Sequence, residues 1–166
     1  MGTSASRQTI YSIGPRRFQN QILADFLEKE LDAKCVVSED ACREPPAANS
    51  RICQVLVLLH AAENDFDKSL MGLASENIKT LDGRIVALFN VKSDTGIEEK
   101  GVSWGIRGFF YKQDPPRQLV RGISCMFKGE MWYPREVMAK YILSLIDDNQ
   151  NKRQDVATLT RGNLNC

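Results

Sequence analysis

Two apolar runs constrain this chain more than any other feature. Ile52–Leu59 reads ICQVLVLL, and Arg84–Val91 reads RIVALFNV. Their apolar character is nearly continuous rather than alternating. That suits strands buried on both faces, as in a parallel sheet covered by helices on each side. Parallel neighbours need crossover connections, so helical segments are expected between the strands.

The rest of the chain supplies them. Thr9–Ile13 (TIYSI) reads as a first strand, stopped by Gly14-Pro15. Phe18–Leu31 follows, with Phe18, Ile22, Leu23, Phe26, Leu27 and Leu31 at helical spacing as one inward face. Cys35–Val37 is a short strand, and residues 44–50 (EPPAANS) are a loop by composition. Asp67–Asn77 can form a helix, and Thr95–Trp104 holds a short helix or loop. Gly108–Tyr111 (GFFY) is a further apolar strand. Arg117–Phe127 is a helix with Leu119, Val120, Ile123 and Phe127 inward. Pro134–Ile146 is a last helix, with proline at its first turn, where the missing N–H costs nothing. The alternation predicts an α/β fold: a doubly wound, five-stranded parallel sheet with an extra C-terminal helix. The domain is expected over 8–146. Residues 147–166 are polar with no apolar period and read as a flexible tail or linker.

In folds of this class the functional crevice lies at the carboxyl ends of the strands. That directs attention to Gly14 and Pro15, His60, Asn90 and Lys112. Charge sets further limits. With 166 residues and a formal net charge of +1, the chain lacks the basic excess of a dedicated nucleic-acid surface. Five widely spaced cysteines without a CxxC pair fit reduced thiols better than a disulfide framework. One histidine can complete neither a His-based zinc site nor a convincing Ser-His-Asp set, and no Gly-rich phosphate loop is present. No metal site and no catalytic set is therefore expected. No segment reaches the length of a membrane span, and the N-terminus has no apolar signal core, so a cytoplasmic protein is expected.

Gly105–Lys112 (GIRGFFYK), followed by Asp114-Pro115, resembles the G-A-x-G-Y-L-x-K segment of NarL/FixJ-type response-regulator receivers, in which a lysine closes the fifth strand. Leu119–Pro134 is similar to the helix that follows it, and Leu159-Thr160-Arg161 resembles the opening of a LuxR-type helix-turn-helix domain. The resemblance implies a CheY- or flavodoxin-like receiver fold, regulation of transcription, and DNA contact only through a helix-turn-helix domain not present in this chain.

The departures concern chemistry. A phosphorylatable receiver needs carboxylates after its first strand to hold Mg²⁺, and an aspartate after its third as phosphoryl acceptor. Here the first strand is followed by Gly14-Pro15-Arg16-Arg17, the acceptor position by His60 (or Leu59 one register earlier), and the switch hydroxyl by Asn90. Only Lys112 remains, with Glu63 or Asp65 as its expected structural partners. The resemblance thus implies a degenerate pocket and control by other means. One is homodimerisation through the apolar face Val137, Met138, Tyr141, Ile142 and Leu145. Another is suggested by similarity to CsgD/VpsT-type biofilm regulators, some of which bind cyclic di-GMP at the start of the last helix. The matching residues are Trp132, Tyr133, Pro134 and Arg135. Arg135 could stack on guanine and pair with phosphate, whereas Pro134 can donate nothing. The same residues also suit plain packing and capping.

Overall fold

A computed structural model describes residues 7–39, 53–61 and 83–162. Five strands form one all-parallel sheet in the order β2-β1-β3-β4-β5. They are β1 (Arg7–Ile13), β2 (Lys34–Ser38), β3 (Cys53–His60), β4 (Ile85–Val91) and β5 (Gly108–Tyr111). The helices among the described residues are α1 (Arg17–Leu31), α2 (Ile97–Ser103), α3 (Pro116–Phe127) and α4 (Arg135–Gly162). The expected strands are all found, within two residues of their expected ends. The helix expected over Asp67–Asn77 and the loop over residues 44–50 lie outside the described residues.

β3 is the central strand, paired with β1 from Arg7↔Cys53 to Ile13↔Leu59 and with β4 from Leu56↔Ile85 to His60↔Phe89. Val55 to Leu59 are essentially solvent-free, which explains the unbroken apolar run. Successive side chains point to opposite faces. On one face Ile10, Leu56, Leu58, Ala87 and Phe110 join Leu27 of α1 and Ile123 and Met126 of α3 in one buried cluster. On the other, α2 lies so close that a Cβ on Gly101 would sit 2.9 Å from the Phe109 ring.

Two expectations are corrected. In α1 the buried residues are Asn20, Ala24 and Leu27, while Phe18 and Ile22 are exposed. At 100° per residue, positions 20, 24 and 27 share a stripe and Ile22 falls opposite it. Counting apolar residues had drawn the face too wide. The last helix does not stop at Ile146 but continues to Gly162. No glycine or proline occurs between Arg135 and Arg161. Glu136 and Lys140, and Asp148 and Lys152, stand at the helix-supporting four-residue spacing. The side chains of Thr158 and Thr160 donate to the carbonyls of Gln154 and Val156, four residues earlier. The polar composition of 147–161 therefore marks a solvated helix and not an irregular tail.

The chain divides into two compact units, one ending at Tyr133 and one beginning at Pro134. Pro134 and α4 make up the described part of the second.

Candidate functional site: the strand-end crevice

The carboxyl ends of β1, β3 and β4 bring Gly14, His60 and Asn90 together. His60 closes β3 and is buried. The Asn90 amide nitrogen lies 2.8 Å from His60 Nε2. An amide donating there requires an unprotonated Nε2, so the ring proton sits on Nδ1. Nδ1 is buried and has no partner among the described residues. The Phe89 ring meets the imidazole edge-on at 5.0 Å. Asn90 reaches this position from a left-handed backbone, φ 61°, which asparagine tolerates better than most residues.

Gly14 is the other wall. A Cβ there would lie 2.4 Å from His60 Cβ. Its carbonyl accepts from Asn20 Nδ2 at 3.2 Å, and its N–H donates to Ser38 O at 3.1 Å. Asn20 Oδ1 and Ser12 Oγ are also buried without partners among the described residues. Ser12 and Asn20 were not singled out from the sequence. The signal was available: a serine inside an apolar strand, and an asparagine at 20 in register with Ala24 and Leu27.

Among the described residues, the charges acting on His60 are those of Arg16 and Lys112. Burial, then Arg16, then Lys112, push the His60 pKa below its ordinary 6.5, so the ring is neutral in the fold. Pro15, Arg16 and Lys112 are exposed. Lys112 is tied in place through its backbone, its N–H donating to Val91 O at 3.0 Å. The expected partners Glu63 and Asp65 lie outside the described residues. Among the described residues no cluster of histidine, cysteine or acidic side chains could hold a metal ion. Cys35, Cys53 and Cys125 are free thiols. Burial and then Glu28 and Asp25 push Cys35 up to about 12, which makes it a poor nucleophile. Asn90 and Lys112 also line a neighbouring apolar groove of about 440 Å³ between α1 and α3, walled by Ile22, Phe26, Phe110 and Leu119.

A histidine held neutral by the fold makes stability pH-dependent. The unfolded chain gains the proton first as pH falls below about 6.5. The His60 contribution to stability is therefore constant above that pH and declines below it, down to the depressed folded value. Melting temperatures between pH 8 and pH 5 should fall more steeply for the natural chain than for His60→Gln. Parallel curves would remove the argument. His60 is the only histidine, so the difference isolates one ring.

The second group of sequence candidates lies elsewhere. Trp132 adds one residue of parallel pairing at the outer edge of β5, opposite Gly108. Its N–H donates to Arg107 O at 2.9 Å, and its carbonyl accepts from Phe109 N at 3.1 Å. Its ring stacks on Phe110, centroids 6.5 Å apart. Tyr133 lies against Phe109 at 5.4 Å, and its hydroxyl donates to Ile106 O. Both aromatics are thus engaged in edge packing. Pro134 and Arg135 belong to the second unit, with Arg135 exposed in the first turn of α4. Of the expected dimer face, Met138, Ile142 and Leu145 are exposed, and Val137 and Tyr141 are half-buried.

The all-parallel strand order and the flanking helices decide the architecture. This is the receiver fold. The regulatory domain of the master biofilm regulator CsgD superposes with a TM-score of 0.63 at 19% identity, covering 81% of this chain and 98% of that one. The response regulator ChrA of a heme-sensing two-component system gives 0.59 at 16% identity, covering 86% and 67%. The isolated receiver domain of RcsB from Salmonella enterica serovar Typhimurium gives 0.52 at 13% identity, covering 80% and 96%. No protein-family profile matches the chain, and no curated protein matches it in sequence. Among the described residues no helix is long and apolar enough to cross a membrane.

Proposed function

We propose that this chain is a phosphorylation-independent, receiver-like signalling domain of a LuxR-type transcription regulator, acting by self-association to position a DNA-binding domain. One observation carries the reading. The end of β3, where a receiver needs an acceptor carboxylate, holds a neutral histidine bonded to Asn90. The loop after β1 and the first turn of α1 supply Arg16 and Arg17 where Mg²⁺ would need acids. An imidazole in this setting cannot form an acyl phosphate, and the two arginines repel a divalent cation.

The test combines phosphorylation and mass. Incubation with acetyl phosphate and Mg²⁺ should leave the intact mass without a phosphoryl adduct. Light scattering should show a species near twice the 18.7 kDa chain mass at high concentration, with or without the phosphodonor. A Mg²⁺-dependent adduct on an aspartate would overturn the phosphorylation half, and a monomer throughout would overturn the self-association half.

Cyclic di-GMP binding at Trp132–Arg135 is the weaker reading, because Trp132 and Tyr133 already pack on Phe110 and Phe109. Calorimetric titration is expected to give no saturable heat at dinucleotide concentrations of about tens of micromolar. Saturable heat that disappears in Arg135→Ala would reverse this order.

A further inference from the structure

α4 spans 28 residues, about 42 Å at the α-helical rise. Five of its apolar residues follow a seven-residue repeat that the polar composition of its second half conceals, while Leu143 and Ile146, 61% and 46% exposed, stand beside it at b and e. Met138, Ile142, Leu145, Val156 and Leu159 fall at alternating d and a positions of three heptads. Asn149 takes the intervening a position and Lys152 the intervening d position. The five apolar members are 37–72% exposed. A single helix with such a seam leaves it in water, and a seam of this period is matched by another helix with the same period.

We propose that α4 pairs with α4 of a second copy of this chain as a parallel, in-register, two-stranded coiled coil over residues 138–159. This rests on the self-association reading and names its surface and geometry. Three features of the seam choose the occupant and its direction. β-branched Ile142 and Val156 at a, with Leu145 and Leu159 at d, favour two strands. A lone asparagine at a meets its own counterpart only when two helices run parallel in register, where the side-chain amides hydrogen-bond across the axis; Asn149 holds that position. The flanking charges agree. Asp148 is a g residue and Arg153 the next e residue, so a parallel pair sets Asp148 against the partner's Arg153, twice per dimer. An antiparallel pair would instead set g against g, placing Asp148 near the partner's Asp155. Lys152 weakens the d row, although its stem can lie along the seam with the ammonium at the edge.

Sedimentation of the full chain over a concentration series tests this. Leu145→Asp and Val156→Asp should each move dimerisation to at least about tenfold higher concentration, because each buries two carboxylates in the seam. Asp148→Arg and Arg153→Asp should each weaken the dimer about threefold, by setting like charges opposite one another. An equimolar mixture of those two variants should recover the natural affinity, because the heterodimer restores both pairs. Circular dichroism and an unchanged main melting transition check that each variant is folded. Tightening by Asp148→Arg would show an antiparallel pair and overturn the proposal. A dimer indifferent to Leu145→Asp and Val156→Asp would place association on another surface, overturning this proposal while the self-association reading stands. A monomer at every concentration would overturn both.

Discussion

Gly14→Ala is expected to destabilise the protein by about 2–3 kcal/mol, the upper part of the range for overpacked sites. The added Cβ would stand 2.4 Å from His60 Cβ. Both atoms are fixed directly to backbone, so no rotamer change relieves the overlap. Relief requires the ends of β1 and β3 to part, although their pairing is continuous to Ile13↔Leu59. Parting them also strains the Asn20 bond to Gly14 O and the Gly14 bond to Ser38 O. The melting temperature should drop by about 10 °C. Most of this loss should vanish in a His60→Gly background, where the opposing Cβ is gone. A double-mutant cycle with no coupling would show that the crevice is looser than its geometry indicates.

Gly122→Val is expected to cost at least about 3 kcal/mol, for a related reason where α3 packs on β5. A Cβ at 122 would approach Phe110 Cε1 to 2.5 Å and Trp132 Cδ2 to 2.9 Å. The two rings stack on each other, and Phe110 is 2% exposed, so neither can withdraw freely. Alanine brings the same first atom, partly offset by about 1 kcal/mol of helix propensity gained over glycine. Valine adds two methyls to a filled space. Phe110→Leu should relieve much of the Gly122→Ala penalty by removing the ring edge. Chemical denaturation of the single and double variants measures the coupling directly. A Gly122→Val protein as stable as the natural chain would refute the packing described for Trp132. The same result would free the tryptophan ring for a ligand.

These glycines show where local pattern reading succeeds and where it stops. The GIRGFFYK segment and the buried runs ICQVLVLL and RIVALFNV are legible because period and apolarity are local properties of the chain. They carry the strands, their parallel pairing and hence the crevice at their carboxyl ends. That no carboxylate follows β1 or closes β3, where Gly14, Arg16 and His60 stand, is likewise visible without coordinates. What faces what is not. Phe18 and Ile22 carry the hydrophobicity of core residues, yet Asn20 takes the buried place. Only the way α1 lies on the sheet selects which stripe of the helix turns inward. The Asn90–His60 bond joins residues 30 positions apart through strand register. The heptads of α4 were available in the sequence but masked by Asn149 and Lys152, which interrupt the apolar count without interrupting the period.

By itself, then, the sequence determined a five-stranded parallel α/β architecture and the absence of acids from the loop after β1. Both follow from residue type and from spacing along the chain, which no tertiary contact can alter. The tertiary structure alone decided that His60 is a neutral, buried ring against Asn90, and that Trp132 and Tyr133 are packing residues at a sheet edge. Those properties depend on which side chains from distant segments exclude water from one another, and that is settled only when the sheet and its helices close together.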